Sequence, residues 1–179
     1  MGAGTDTVNI PNSSNVKVAV VGCGYWGKNL VRNFHALGAL GMVCDPTEAG
    51  RTLAKELAPE VEVVEEIEVV LRDERIVAVA IATPAETHRE IAERCLLAGK
   101  DVFVEKPMTM TSQEARDLAQ IVERTGCTLQ VGYYYRFHPI STYLHNTILD
   151  GKMGDLRYLS GNFMGFKRAR TDVGVTHTD

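Results

Sequence analysis

The run Gly22-Cys23-Gly24-Tyr25-Trp26-Gly27 limits what this chain can fold into more than any other feature. Residues 16–21, just before it, are mostly apolar and β-branched and predict a buried strand. Residues 25–37, just after it, place Leu30, Val31, Phe34 and Leu37 at helical spacing, with Gly38 as the stop. A G-x-G-x-x-G run alone says little, but between a strand and a helix it specifies a phosphate-binding turn. Its glycines answer separate demands. Gly22 permits the tight turn, Gly24 lets backbone approach a pyrophosphate, and Gly27 lets the helix pack close to the strand. The helix then offers free amides and a positive dipole end to an anion. Tyr25 and Trp26 lie between the glycines and count with the same cofactor-facing loop.

Downstream, strands and helices keep alternating. Strands are expected at residues 40–44, 61–64, 76–82, 101–104 and 128–131, and helices at 47–57, 65–71, 84–98 and 111–125. Thr47 is a candidate N-cap, and Gly99 and Gly126 are helix stops. Residues 76–82, apolar throughout, read as a central strand covered on both faces. Six strands alternating with helices predict an α/β fold of the Rossmann type, a doubly wound parallel sheet with helices on both faces. Past Gly132 the chain becomes aromatic and basic (Tyr133 to Pro139). A helix is then expected at 140–149 and a half-exposed strand at 154–166. The expected organisation is a mobile tail (1–15), a dinucleotide-binding domain (16–132) and the start of a truncated α+β second domain (133–179).

Three further motifs fall at strand ends. Asp45 closes the second strand eighteen residues past Gly27, near the spacing of about twenty expected for a carboxylate that accepts from a ribose diol. Such a carboxylate repels a 2′-phosphate. Arg51 comes six residues on rather than directly after, so NAD(H) is favoured over NADP(H). An Asp-Pro turn capping the next helix is an equally simple role, and the two are compatible. Thr83 and Pro84 end the strongest strand, on the edge where open α/β sheets bind ligands. His88, on the helix that follows, taken alone reads as a surface or capping residue. Glu105-Lys106-Pro107 ends the next strand. Pro107 keeps Lys106 extended, where its amine could bind a substrate hydroxyl and help move its proton as hydride leaves. The plainer role for such a lysine is a solvated charge.

Composition narrows the classes. The chain has 179 residues, 45% apolar, with a formal charge of −4, which points away from a nucleic-acid-binding surface. Cys23, Cys44, Cys95 and Cys127 form no C-x-x-C pair, so neither a zinc site nor a disulfide framework is expected. No apolar run reaches the roughly 18 residues needed to span a bilayer, and the first fifteen residues lack a signal-peptide core. The expectation is a cytoplasmic protein with neither a membrane nor a nucleic-acid partner.

With these motifs in order, the chain resembles the glucose–fructose oxidoreductase, inositol dehydrogenase and rhizopine-catabolism (Gfo/Idh/MocA) family. The residues that carry the resemblance are Val20 to Gly27, Asp45, Ala82-Thr83-Pro84 through His88, Glu105-Lys106-Pro107, and Val131-Gly132 with Arg136-Phe137-His138-Pro139. The resemblance implies an NAD(P)-dependent oxidoreductase acting on a sugar or polyol hydroxyl. In that reading Lys106 is the catalytic lysine. Gly22, Gly24 and Gly27 hold the pyrophosphate, Asp45 holds the adenosine ribose, and Thr83, Pro84, His88 and Glu105 line the nicotinamide side. Residues 24–34 look like members that act on nucleotide sugars. The family's second domain carries Asp-x-Gly-x-His, whereas here Asp172-Val173-Gly174-Val175 is followed by Thr176 and then His177. Either His177 serves with a one-residue shift, or the histidine lies beyond Asp179. Only 47 residues follow Gly132, too few for the family's large second sheet, so a truncated chain is expected. A partial sheet exposes an edge and an apolar face, so a homo-oligomer is expected as well. The alternatives are a dinucleotide-binding module without turnover, and a Rossmann domain for S-adenosylmethionine or a flavin.

Overall fold

The structure, a computed structural model, describes residues 17–162. Six strands form one parallel sheet: β1 (Lys17–Val21), β2 (Leu40–Cys44), β3 (Glu62–Val64), β4 (Ile76–Ile81), β5 (Asp101–Val104) and β6 (Leu129–Val131). Their order in space is β3-β2-β1-β4-β5-β6. The chain winds outward from β1 to one edge, returns, and winds outward to the other. This is the Rossmann arrangement, and the winding reverses between β1 and β4. The connecting helices are α1 (Gly27–Ala36), α2 (Glu48–Leu57), α3 (Ile67–Arg72), α4 (His88–Leu97) and α5 (Ser112–Thr125); α6 (Pro139–Leu149) follows the sheet.

Local chemistry sets the helix ends. Thr47 caps α2 by accepting from Gly50 N, as its position predicts. Thr111 and Glu114 form a reciprocal capping box on α5, and Gly126 ends that helix in the left-handed conformation. α1 starts at Gly27 rather than Tyr25, because residues 24–26 stay in the turn.

Strand alternation divides the core between the two faces of the sheet. Val20, Val43 and Ala80 face Val31 of α1 and Ala54 of α2. Val21, Met42, Ile81 and Val104 face Val70 of α3, Leu96 of α4 and Leu118 of α5. Full burial of a side chain such as Leu96 or Leu118 stabilises the fold by about 1.5–3 kcal/mol. The second half of β4 is buried throughout, as expected, and so is Ile76 at its start, but Val77 is 41% exposed.

Beyond β6 the chain makes a 3-10 turn (Tyr134–Phe137) and then α6, with Pro139 at its first turn. α6 packs mainly on that turn. Tyr133, Tyr135, Phe137, Ile140, Tyr143 and Leu149 are all exposed. The strand expected at 154–166 is not formed over its described part: residues 154–162 lie in no strand. An alternating pattern makes a strand only where another strand pairs with it, and none lies beside this segment among the described residues. Residues 1–15, expected as a tail, lie outside the described residues, as do Val16 and residues 163–179.

Candidate functional site

The parallel register brings the sequence motifs to one edge. In five of the six strands the pairing runs one residue past the end: Gly22 N donates to Cys44 O, Asp45 N to Val64 O, Ala82 N to Val21 O, Glu105 N to Ile81 O and Gly132 N to Val104 O, at 2.8–3.0 Å. Gly22, Asp45, Ala82, Glu105 and Gly132 therefore stand in a row along the carboxyl edge of the sheet, around the point where the winding reverses.

The three glycines have different surroundings. Gly22 has φ +91°, and a Cβ there would meet the Ala82 backbone at 2.9 Å. At Gly27 a Cβ would stand 1.8 Å from Gly22 O, which sets how close α1 comes to the end of β1. At Gly24 a Cβ would meet nothing within 4 Å, so the backbone borders open space. α1 has no side-chain cap and no acidic residue in its first turn, unlike α2 and α5. Lys28 N and Asn29 N already donate to Gly24 O and Trp26 O, so what this helix end offers an anion is its dipole and the amides of the turn before it. Open space beside Gly24 and an uncapped helix end fit a dinucleotide pyrophosphate.

Asp45 is buried, and its carboxylate is bound mainly to the protein. Oδ2 accepts from Cys23 N at 2.7 Å; Oδ1 accepts from Thr47 N at 2.8 Å and Thr47 Oγ1 at 2.6 Å. Of roughly four acceptor positions on a carboxylate, about one remains for a ribose hydroxyl. Asp45 thus holds the capping residue Thr47 rather than capping α2 itself, and it keeps room for a ribose hydroxyl. Gly50 makes it possible: a Cβ there would lie 2.2 Å from Asp45 Cγ. A glycine in the first turns of α2 was the signal that sequence reading missed. Arg51 also sits here. Its Nη1 donates to the carbonyls of Asp45 and Pro46, and its Nη2 pairs with Glu65. Burial pushes the thiols of Cys23 and Cys44 up to about 11, with the Asp45 charge adding to both shifts. Both cysteines stay protonated, packed as small apolar groups.

At the ends of β4 and β5, Thr83 Oγ1 accepts from Thr87 Oγ1 at 2.7 Å, and Pro84 is exposed. His88 is not the surface residue its place at a helix start suggested. It is 2% exposed, with Nε2 2.9 Å from Thr83 O and Nδ1 2.7 Å from Pro107 O. Its ring lies between the β4 turn and the β5 turn. Glu105 is nearly buried; Oε1 accepts from the Trp26 indole Nε1 at 2.6 Å and Oε2 from Lys106 N at 3.3 Å. The Lys106–Pro107 peptide is cis, and Lys106 is exposed at the tip of β5. Tyr25 and Trp26 are also exposed, with the Lys28 ammonium 5.6 Å from the centre of the Tyr25 ring. The Trp26–Glu105 bond leaves no sequence signal, because it joins residues 79 apart. His177 lies outside the described residues. Among those described, no group of three or more His, Cys, Asp and Glu could hold a metal, and no helix is long and apolar enough to cross a membrane.

Comparison with known proteins shows which family the sequence and the fold resemble. The model of the Gfo/Idh/MocA oxidoreductase family with an NAD-binding Rossmann fold matches residues 16–133. The NAD(+) scyllo-inositol 2-dehydrogenase of Bacillus subtilis (strain 168) is 35% identical over 151 residues, covering 82% of this chain and 44% of that enzyme. The NADP(+) scyllo-inositol 2-dehydrogenase of the same strain is 31% identical over 164 residues, covering 88% of this chain and 43% of that enzyme. The crystal structure of scyllo-inositol dehydrogenase from Lactobacillus casei, with bound NAD(H) and scyllo-inositol, superposes with a TM-score of 0.71 at 27% identity. That superposition covers 79% of this chain and 43% of the other. The chain thus spans a little under half the length of these relatives. By its sequence and its fold, the chain belongs to the Gfo/Idh/MocA family of NAD-binding oxidoreductases.

Proposed function

We propose that residues 16–132 bind NAD(H) along the carboxyl edge of the sheet. In the whole protein this region would serve hydride transfer at a hydroxyl-bearing carbon of a sugar, a polyol of the inositol type, or a nucleotide sugar. The observation that carries the reading is the open space beside Gly24, above the uncapped end of α1, on the same edge as the exposed Lys106. The amides around Gly24 and Gly27, with Tyr25 and Trp26 beside them, would hold the pyrophosphate, and Asp45 would accept from the adenosine ribose. Thr83, Pro84, Glu105 and Lys106 would border the nicotinamide side, with His88 supporting the turns that carry them. When bound, the nicotinamide supplies a hydride acceptor or donor. Lys106 would hold the substrate hydroxyl and take its proton through Nζ. His177, or a histidine beyond Asp179, would be its partner.

NAD(H) is preferred to NADP(H) because the fixed Asp45 charge faces the ribose side, while Arg51 is held by two carbonyls and Glu65. Residues 133–179 begin the substrate and oligomerisation domain. The exposed aromatics Tyr133, Tyr135, Phe137 and Tyr143 fit a homo-oligomer, and the compartment would be the cytoplasm. A second reading is a dinucleotide-binding module without turnover.

Titration with NADH and NADPH, followed by a panel of sugars and polyols, tests these readings. Tighter NADH binding with turnover supports the dehydrogenase, and Lys106→Ala should then lower turnover by about 10²–10⁴-fold. Binding without turnover supports the module. Failure to bind either dinucleotide refutes both and reopens S-adenosylmethionine or a flavin.

A further inference from the structure

Trp26 is the only tryptophan in the chain, and hydride transfer as described uses none of its chemistry. Its backbone closes the glycine loop, and its indole reaches across the sheet edge to Glu105. An indole N–H only donates, and its partner here is a nearly buried carboxylate, so the bond is charge-assisted. Glu105 has little freedom to move away. Its other oxygen accepts from Lys106 N, and a Cβ at Gly132 would stand 3.0 Å from Oε1, so β6 backs it closely. The Tyr134 ring centre lies 6.4 Å from that of Trp26, tilted by 31°. The indole is 42% exposed, so packing alone does not hold it in place.

A loop containing Gly22 and Gly24 has more backbone freedom than other loops. One side-chain bond joins it to the residue that precedes Lys106. We propose that Trp26 is a positioning residue: through Glu105 its indole latches the glycine loop to the β5 tip, so that the pyrophosphate-facing amides and the Lys106 amine are in register before a dinucleotide arrives. The benefit rests on the NAD(H) reading, but the latch belongs to the free protein.

Tryptophan fluorescence reports on Trp26 alone. In the full chain, Glu105→Ala is expected to lower the anisotropy of Trp26 and raise its quenching by acrylamide toward that of an exposed indole, with circular dichroism unchanged. Trp26→Phe keeps a ring and loses the donor. It should weaken NADH binding about tenfold, as expected for loss of a hydrogen bond to a charged group. The double variant should bind no more weakly than Glu105→Ala alone, because the latch can be broken only once. Unchanged anisotropy and quenching in Glu105→Ala would overturn the proposal. So would wild-type-like NADH affinity in Trp26→Phe. If Glu105→Ala does not fold, Trp26→Phe decides. If the wild type binds neither dinucleotide, the functional reading fails while the anisotropy comparison still decides the latch.

Discussion

Substituting alanine at Gly24 and at Gly27 separates binding from folding, although the two glycines are three residues apart. At Gly27 the new Cβ would lie 1.8 Å from Gly22 O and 2.8 Å from Gly22 C, against a comfortable carbon contact of about 3.5 Å or more. The obstructing atoms are backbone, so only an outward shift of α1 relieves the clash. Val31, one turn on and fully buried, would lose its packing with that shift. Overpacking of this kind costs about 1–3 kcal/mol. Better helix propensity returns at most about 1 kcal/mol, and less at a first-turn position. The net loss should be about 2 kcal/mol. At roughly 2–4 °C per kcal/mol for a chain of this size, the thermal midpoint should fall by about 4–8 °C.

At Gly24 the new Cβ meets nothing, so stability should change by less than about 0.5 kcal/mol. The methyl would, however, occupy the path of an approaching pyrophosphate, and NADH binding should weaken tenfold or more on the order of a lost charge-assisted contact. Thermal scans paired with NADH titrations read both effects. An unchanged midpoint in Gly27→Ala would refute the close seating of α1. Wild-type NADH affinity in Gly24→Ala would refute the assignment of that open space to the phosphates.

His88→Ala removes a buried ring from between the β4 and β5 turns and leaves Thr83 O and Pro107 O without it. A loss of about 3 kcal/mol is expected in urea unfolding, and an unchanged midpoint would show that the ring joins nothing. Asp45→Asn must turn an amide donor toward either Cys23 N–H or the Thr47 donors. It should cost about 1–3 kcal/mol and narrow the preference for NADH over NADPH, read from the urea midpoint and the two dissociation constants. Burial raises the thiols of Cys44 and Cys95 from 9.0 to about 11 and about 12. The folded chain keeps these protons where the unfolded chain has released them. This contribution to stability is therefore whole below about pH 9 and declines between pH 9 and about 12. Urea midpoints at pH 8 and 10 check it, and equal midpoints would contradict it.

What the sequence made legible were demands met within a few residues. The glycine turn, the Thr47 cap and the stop after α5 each follow from local sterics or one nearby hydrogen bond, and the structure has them where the sequence puts them. The alternation of strands and helices was legible because each strand is an apolar run bounded by turn residues. The burial of His88 was not, because its partners are backbone carbonyls of two turns brought together only by the order of β4 and β5. Residues 154–162 show the opposite failure. Their alternation is genuine, yet a ladder needs a neighbour that sequence pattern cannot supply.

The residues first read as facing a ligand turn out to do a second job, which changes how the site is built. Asp45 ties the glycine loop to the β2 turn through Cys23 N. Trp26 ties the same loop to the β5 turn through Glu105. His88 ties the β4 turn to the β5 turn. Three side-chain ties therefore join four turns along one sheet edge, and each ends on a carboxylate or a backbone carbonyl. Turns held this way need little ordering when a ligand arrives, so more of the binding energy is retained. What the ties leave free is the set that a dinucleotide and an alcohol would need: the open side of Gly24, the uncapped end of α1, about one acceptor position on Asp45, and the exposed amine of Lys106. The framework and the binding groups are thus interleaved at this edge. Substitutions of Asp45, Trp26 or Glu105 should accordingly move stability and cofactor affinity together, whereas Gly24→Ala should move affinity alone.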